Sequence, residues 1–129
     1  MSATAKQLAE FKSCRVCGKK WDSLLDFVVD PLLRVEGYQA GFTDPNKGLI
    51  MVTHCEDGCG TTLAVQAELL KDLYDGPEHL ERFTGKEPCR RYCLQRHLLQ
   101  ECDVHCDMAW VRHALQWLRN HELPPHISN

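Results

Sequence analysis

The sequence predicts an α+β fold, in which a small antiparallel β-hairpin packs against a mainly helical C-terminal half. Residues 32–42 and 49–54 carry β-branched, aliphatic or aromatic side chains in the patterns typical of strands. Between residues 104 and 118, apolar side chains recur at steps of three and four, which predicts a helix. Eight cysteines fall in four close pairs, a spacing that indicates sulfur chemistry rather than ordinary packing.

Length and composition indicate a single globular domain spanning residues 1–129. Within it we expect a turn-and-hairpin portion at 1–60, a helical portion at 61–122 and a loose tail at 123–129. The hydrophobic share of 43% and the charged share of 26% exclude a disordered or fibrous chain. The net charge of -3 argues against a protein that coats nucleic acid.

In the N-terminal half, the pattern predicts a short helix over residues 2–12 and a tight turn at 14–18. A second short helix is predicted between Asp22 and Asp30, ending before Pro31 because the residue preceding a proline avoids helical angles. Residues 43–48 contain Pro45 and Gly48, which favour the turn that closes the β-hairpin.

In the C-terminal half, we expect a helix from Thr61 or Thr62 to Leu73 and a short helical turn at 78–83. Residues 87–121 form the most helical region, with Pro88 in its first turn and Asp103 capping the final helix. The final helix should form a wall of the core through one broad apolar face, made up of Val104, Met108, Trp110, Val111, Ala114, Leu115, Trp117 and Leu118.

The first cysteine set consists of two close pairs, each followed by glycine: Cys14 and Cys17 before Gly18, and Cys55 and Cys59 before Gly60. Glycine permits the positive backbone angle of a turn that aims two thiolates at one ion. Two such turns can complete a tetrahedral metal site. The arrangement resembles the paired knuckles of zinc ribbons and rubredoxin-like sites, which implies a zinc-ribbon-like site in the hairpin portion. His54 can replace Cys55 as the fourth ligand.

The second cysteine set consists of Cys89, Cys93, Cys102 and Cys106. Within each pair the two residues are four apart and share one face of a helix. The nine steps from Cys93 to Cys102 turn a straight helix by about two and a half turns, which places the two pairs on opposite sides. Convergence on one ion therefore requires a bend between residues 94 and 101.

Three chemistries remain open for the second cysteine set. A second zinc site, with or without His97 or His105, is the simplest in a reducing compartment. An iron–sulfur cluster held by Cys89, Cys93, Cys102 and Cys106 is the alternative, because it also takes four thiolates. Two disulfides between paired helices would resemble the helical-hairpin proteins of oxidising compartments.

One enzymatic signature nearly matches the sequence. Zinc nucleobase deaminases use H-x-E followed by P-C-x-x-C, and here His54 and Glu56 precede Pro88, Cys89 and Cys93. The second half has one residue too many, and the glycines after Glu56 predict a turn where the motif needs a helix. We therefore assign no catalytic residues.

The sequence has neither a secretory signal nor an apolar segment of membrane-spanning length, which predicts a cytoplasmic protein. We expect a small metal-binding module that holds one or two zinc ions, mainly as structural clamps. Its expected role is binding or regulation through contact with another protein, rather than with nucleic acid or a membrane. The alternative is an iron–sulfur protein with a redox or sensing role.

Overall fold

The computed structural model describes residues 11–127 and confirms the α+β class. A two-stranded antiparallel sheet is formed by β1 (Lys12–Ser13) and β2 (Lys20–Trp21), and a three-stranded antiparallel sheet has the order β3 (Leu33–Gln39), β4 (Leu49–His54) and β5 (Thr62–Gln66). Within residues 11–127, the α-helices are α1 (Leu24–Val28) and α2 (Ala109–Asn120). Neither α1 nor α2 has the length and apolar character needed to cross a bilayer.

The predicted hairpin forms between β3 and β4, with Val35 opposite Val52 and a bulge between Val35 and Gly37. The connecting turn contains a short 3-10 segment at Pro45–Lys47. Along β4, Ile50, Val52 and His54 are all buried, and the residues between them are more exposed. This alternation places His54 on the inner face at the end of the strand.

The helix predicted between Asp22 and Asp30 is present as α1. Ser23 starts it, because the Ser23 hydroxyl accepts a hydrogen bond from the Asp26 amide at 3.1 Å. Phe27 and Val28 are its buried residues. The helix predicted over residues 2–12 falls mostly on residues 1–10, outside the described residues, and Lys12 belongs to β1.

The prediction of a helix from Thr61 or Thr62 to Leu73 is wrong. The first half of this segment is β5, which pairs with β4 and supplies the hydrogen bonds that the free edge of β4 needs. The second half is a 3-10 segment at Ala67–Leu73. Leu70 and Leu73 are buried there because residues three apart lie above one another in a 3-10 helix.

The helical region predicted at 87–121 and the helical turn at 78–83 are also largely wrong. Among residues 78–108, the only helical stretch described is the 3-10 segment Tyr92–Leu94, which contains Cys93. The other three cysteines of the second set lie in loops, and Asp103 does not cap α2. Side chains of α2 bind the loop backbone instead: Arg112 donates to the Leu98 and Gln100 carbonyls and Gln116 to the Leu99 carbonyl. Carbonyls bound in this way do not support a continuous helix.

The predicted apolar face of α2 is confirmed as part of the core. Met108, Val111, Leu115 and Leu118 are each at most 1% exposed. They pack into one hydrophobic cluster with residues from both sheets, α1 and the 3-10 segment, including Trp21, Phe27, Tyr38, Ile50, Val52, Val65, Leu70 and Leu73. Burial of each such side chain stabilises the fold by roughly 1.5 to 3 kcal/mol.

The segment after α2 is more tightly held than the predicted loose tail. Pro124 is buried, and Leu123 and Ile127 pack against the core. The His126 Nε2 atom lies 2.8 Å from the Asp72 carbonyl, within hydrogen-bond distance. Residues 123–127 therefore belong to the folded part of the chain.

Candidate metal centre

Four side chains from two distant turns converge on one point: Cys14, Cys17, His54 and Cys59. Their ligand atoms all lie within 4.8 Å of one another. Cys14 Sγ is 3.5 Å from Cys59 Sγ, and Cys17 Sγ is 3.4 Å from His54 Nδ1. We call these four residues the Cys3His centre. Their arrangement can hold a metal ion.

The turn between β1 and β2 positions the first two thiols. The Cys14 amide donates to the Lys19 carbonyl at 2.8 Å, and the Gly18 amide donates back to the Cys14 carbonyl at 2.9 Å. Gly18 has a φ of +82°, a backbone conformation that residues with a Cβ atom rarely adopt. This turn places the Cys17 thiol within 4.8 Å of the Cys14 thiol.

The turn between β4 and β5 positions the other two ligands. The Cys59 amide donates to the Glu56 carbonyl at 2.9 Å, and the Gly60 amide donates to the His54 carbonyl at 2.9 Å. These hydrogen bonds fold residues 55–59 into a compact loop, and the loop places the Cys59 thiol close to His54. The glycines predicted to shape both turns therefore do so.

His54, rather than Cys55, belongs to the Cys3His centre. Successive side chains of a strand and its direct continuation point to opposite sides. His54 is fully buried, whereas Cys55 is exposed and its Sγ lies 3.6 Å from the Thr53 carbonyl. The structure thus places the substitute that the sequence suggested, His54, beside the other three ligands.

The environment of His54 suits a metal-bound imidazole. Its Nδ1 faces Cys17, and its Nε2 lies 3.1 Å from Glu56 Oε1 without the alignment of a hydrogen bond. The Trp21 ring packs edge-on against the imidazole at 5.2 Å between ring centroids. A carboxylate beside the outer nitrogen is the usual partner of a metal-bound histidine. Sequence reasoning named Glu56 only as part of a deaminase motif and missed this role.

The local electrostatics favour a thiolate at Cys14. The backbone amide of Cys17, helped by the Val16 amide and by Cys59 and His54, outweighs burial and lowers the pKa of Cys14 to about 6. At Cys17 the Lys19 amide lowers the pKa, but burial and the neighbouring thiols of Cys14 and Cys59 together raise it. Crowded thiols oppose each other's ionisation, and a bound divalent cation removes that opposition.

Comparison of the chain with models of known protein families, with characterised proteins and with solved structures finds no match.

The second cysteine set also gathers in one place. Cys89, Cys93, Cys102 and Cys106 all line one cavity of about 20 Å³. Their sulfur atoms are farther apart than those of the Cys3His centre, which is the one group of three or more ligands within 4.8 Å among residues 11–127. All eight cysteines are free, so the structure does not form the disulfides considered from the sequence.

The two histidines considered for a second zinc site do not line this cavity. His105 stacks on His79, with 4.5 Å between parallel rings, and His97 is exposed. Cys89 and Cys93 also do not join His54, so the structure does not assemble the deaminase-like ligand set.

A wider groove of about 730 Å³ lies along α2. Tyr74 and His113 stack within it at 6.0 Å between ring centroids, and His113 Nδ1 lies 2.7 Å from Glu101 Oε2. Trp117 and His79 also line the groove. Its volume is in the range of ligand and peptide sites.

Proposed function

We propose that this chain is a small zinc module, in which one zinc ion bound by Cys14, Cys17, His54 and Cys59 acts as a structural clamp. The module works by binding another protein. The observation that carries the proposal is the convergence of four ligand atoms from two turns within 4.8 Å.

The ligand set supports zinc. Three thiolates and one imidazole form a donor set typical of structural zinc sites, and soft sulfur ligands disfavour magnesium and calcium. Four protein ligands fill a tetrahedron and leave no position for a substrate, which supports a structural rather than a catalytic ion. A reducing compartment such as the cytoplasm keeps such thiols free for metal.

The hairpin that carries two of the ligand residues is too short to be stable on its own. Each strand of the β1–β2 sheet has only two residues, and an isolated two-stranded hairpin is marginally stable at best. Structural zinc contributes about 10 to 16 kcal/mol in small peptides, which is comparable with the whole stability of a domain. A zinc ion shared by the two turns would therefore hold this hairpin against the end of the three-stranded sheet.

One exposed apolar side chain beside the wide groove supports the binding role. Leu80 is 91% exposed and directly follows His79, which lines the groove. Large exposed apolar residues next to a groove are typical of protein-binding surfaces. The partner would place apolar side chains over Leu80 and into the groove.

Metal analysis of matched variants tests the zinc assignment. We expect Cys59→Ser to lose one equivalent of zinc relative to the wild-type chain, because Cys59 is a ligand. Cys55→Ser should keep the wild-type amount, because the exposed Cys55 thiol lies outside the centre. Equal zinc contents in the two variants would contradict the proposed ligand set.

Cross-linking in cells that produce the protein tests the binding role. We expect a partner that cross-links to the wild-type chain and to Gln95→Glu, an exposed polar control, but not to Leu80→Glu. Because Leu80 is 91% exposed, its substitution should leave folding intact. A Leu80→Glu variant with an unchanged cross-linking pattern would count against this surface.

A further inference from the structure

The cavity of the second cysteine set has the features of a thiolate site. Two of its sulfurs accept backbone hydrogen bonds: the Arg91 amide donates to Cys89 Sγ at 3.2 Å, and the Phe83 amide donates to Cys106 Sγ at 3.4 Å. Hydrogen bonds of this kind stabilise the charged form of a thiol. They are independent of the Cys3His centre.

Arg112 provides a second observation at the same cavity. Its side chain is fully buried and lines the cavity, and its Nε donates to Cys93 Sγ at 3.3 Å. Nη1 donates to two loop carbonyls, and Nη2 is buried without a hydrogen-bond partner. Within residues 11–127, no carboxylate lies within 4.0 Å of this guanidinium.

A buried cation without an anionic partner is costly. Tyr38 and Tyr92 face the guanidinium with their rings, at 5.3 and 5.6 Å, but aromatic faces offset only part of that cost. The groups beside Arg112 that can carry negative charge are the cysteine thiols. The neighbouring Asp107, whose Oδ1 is 3.6 Å from Cys106 Sγ, is instead paired with Arg82.

We infer that Cys89, Cys93, Cys102 and Cys106 bind a second zinc ion and that Arg112 is its buried counter-charge. A divalent cation with four thiolates keeps two negative charges, and Arg112 offsets one of them. The four thiol protons leave to solvent when the ion binds. This second site goes beyond the proposed function and does not depend on the Cys3His centre.

The size of the cavity favours one ion over an iron–sulfur cluster. A volume of about 20 Å³ is close to that of one water-sized probe. A cluster adds several iron and sulfide atoms and needs more room. A single ion requires the four sulfurs to lie closer together than they do in this structure. Cys102 and Cys106 lie among residues 95–108, where no regular helix or strand fixes the backbone.

Zinc and iron measured per chain after anaerobic purification test this inference. We expect two zinc ions per wild-type chain, one per chain in Cys102→Ser, and two in the control Cys55→Ser. One zinc ion in the wild-type chain that is lost in Cys59→Ser would overturn the second site and leave the first intact. Iron with visible absorption would overturn zinc in favour of a cluster.

Alkylation of the wild-type chain keeps the inference testable if Cys102→Ser does not fold. In the zinc-loaded protein, we expect Cys55 to react at once and the second cysteine set to be protected. A strong chelator should raise the reaction rates of that set at least tenfold. Equal rates before and after chelation, or disulfides within the set, would overturn the inference.

Discussion

The imidazole ring of His54 lies between the Cys17 thiol and the Glu56 carboxylate. Nδ1 faces Cys17 at 3.4 Å, and Nε2 faces Glu56 at 3.1 Å. In the proposed zinc-bound state, Nδ1 would bind the metal and Nε2 would face the Glu56 carboxylate, which is the usual kind of partner for a metal-bound histidine. We therefore propose that Glu56 positions His54.

We predict that Glu56→Gln lowers the zinc affinity of the Cys3His centre by about tenfold to a hundredfold, because the imidazole loses its anionic partner. Competition with a chelator measures the affinity. Asp57→Asn is the matched control, since Asp57 is an exposed neighbouring carboxylate. Equal affinities of the two variants would show that Glu56 does not act through His54.

Arg112 should act in the same way at the second cysteine set. We predict that Arg112→Met lowers the affinity for the second zinc ion by about tenfold or more, while the first zinc ion binds as before. Methionine keeps much of the side-chain volume and removes the charge. The control is Arg119→Met, on an exposed position of the same helix. Loss of both zinc ions together in Arg112→Met would instead indicate general unfolding.

At the scale of elements, the β1–β2 hairpin has few interactions of its own. Its strands have two residues each, and its turn contributes two ligands to the Cys3His centre. The three-stranded sheet has longer strands and a buried inner face that includes Ile50, Val52 and Val65. Metal removal should therefore affect the two sheets differently.

We predict that chelation exposes the hairpin before the larger sheet. The amides of Cys14 and Gly18, whose hydrogen bonds both lie within one short turn, should exchange with deuterium much faster once zinc is removed. Amides of β4 should retain most of their protection. Hydrogen exchange followed by mass spectrometry measures both regions. Unchanged exchange at Cys14 and Gly18 would mean that the metal does not stabilise the hairpin.

Elements defined by local patterns were predictable from the sequence. The strand at Leu49–His54 and the apolar face of α2 follow from residue spacing alone. The sequence pattern predicts Cys55 in the ligand set with His54 as its substitute, whereas the alternation along β4 buries His54. The segments predicted wrongly are stabilised by distant partners: β5 pairs with β4, and Arg112 and Gln116 bind the backbone at 98–100.

At the scale of the whole molecule, one hydrophobic cluster joins both cysteine regions. Cys14 is buried in this cluster, and Cys59, Cys93 and Cys106 pack against it. The two cysteine regions are thus anchored to the same core through different segments of the chain. The spacing of the cysteines indicated which of them could act together. The sequence did not show that Glu56 lies beside His54 or that Arg112 lies beside Cys93, because folding brings these residues together.

X-ray absorption at the zinc edge measures the Cys3His centre most directly. In the Cys102→Ser chain, where only the first site should retain zinc, we predict three sulfur ligands near ~2.3 Å and one nitrogen near ~2.0 Å. That result would establish Cys14, Cys17, His54 and Cys59 as the ligand set. Four sulfur ligands, with Cys55 replacing His54, or a shell dominated by oxygen would contradict it.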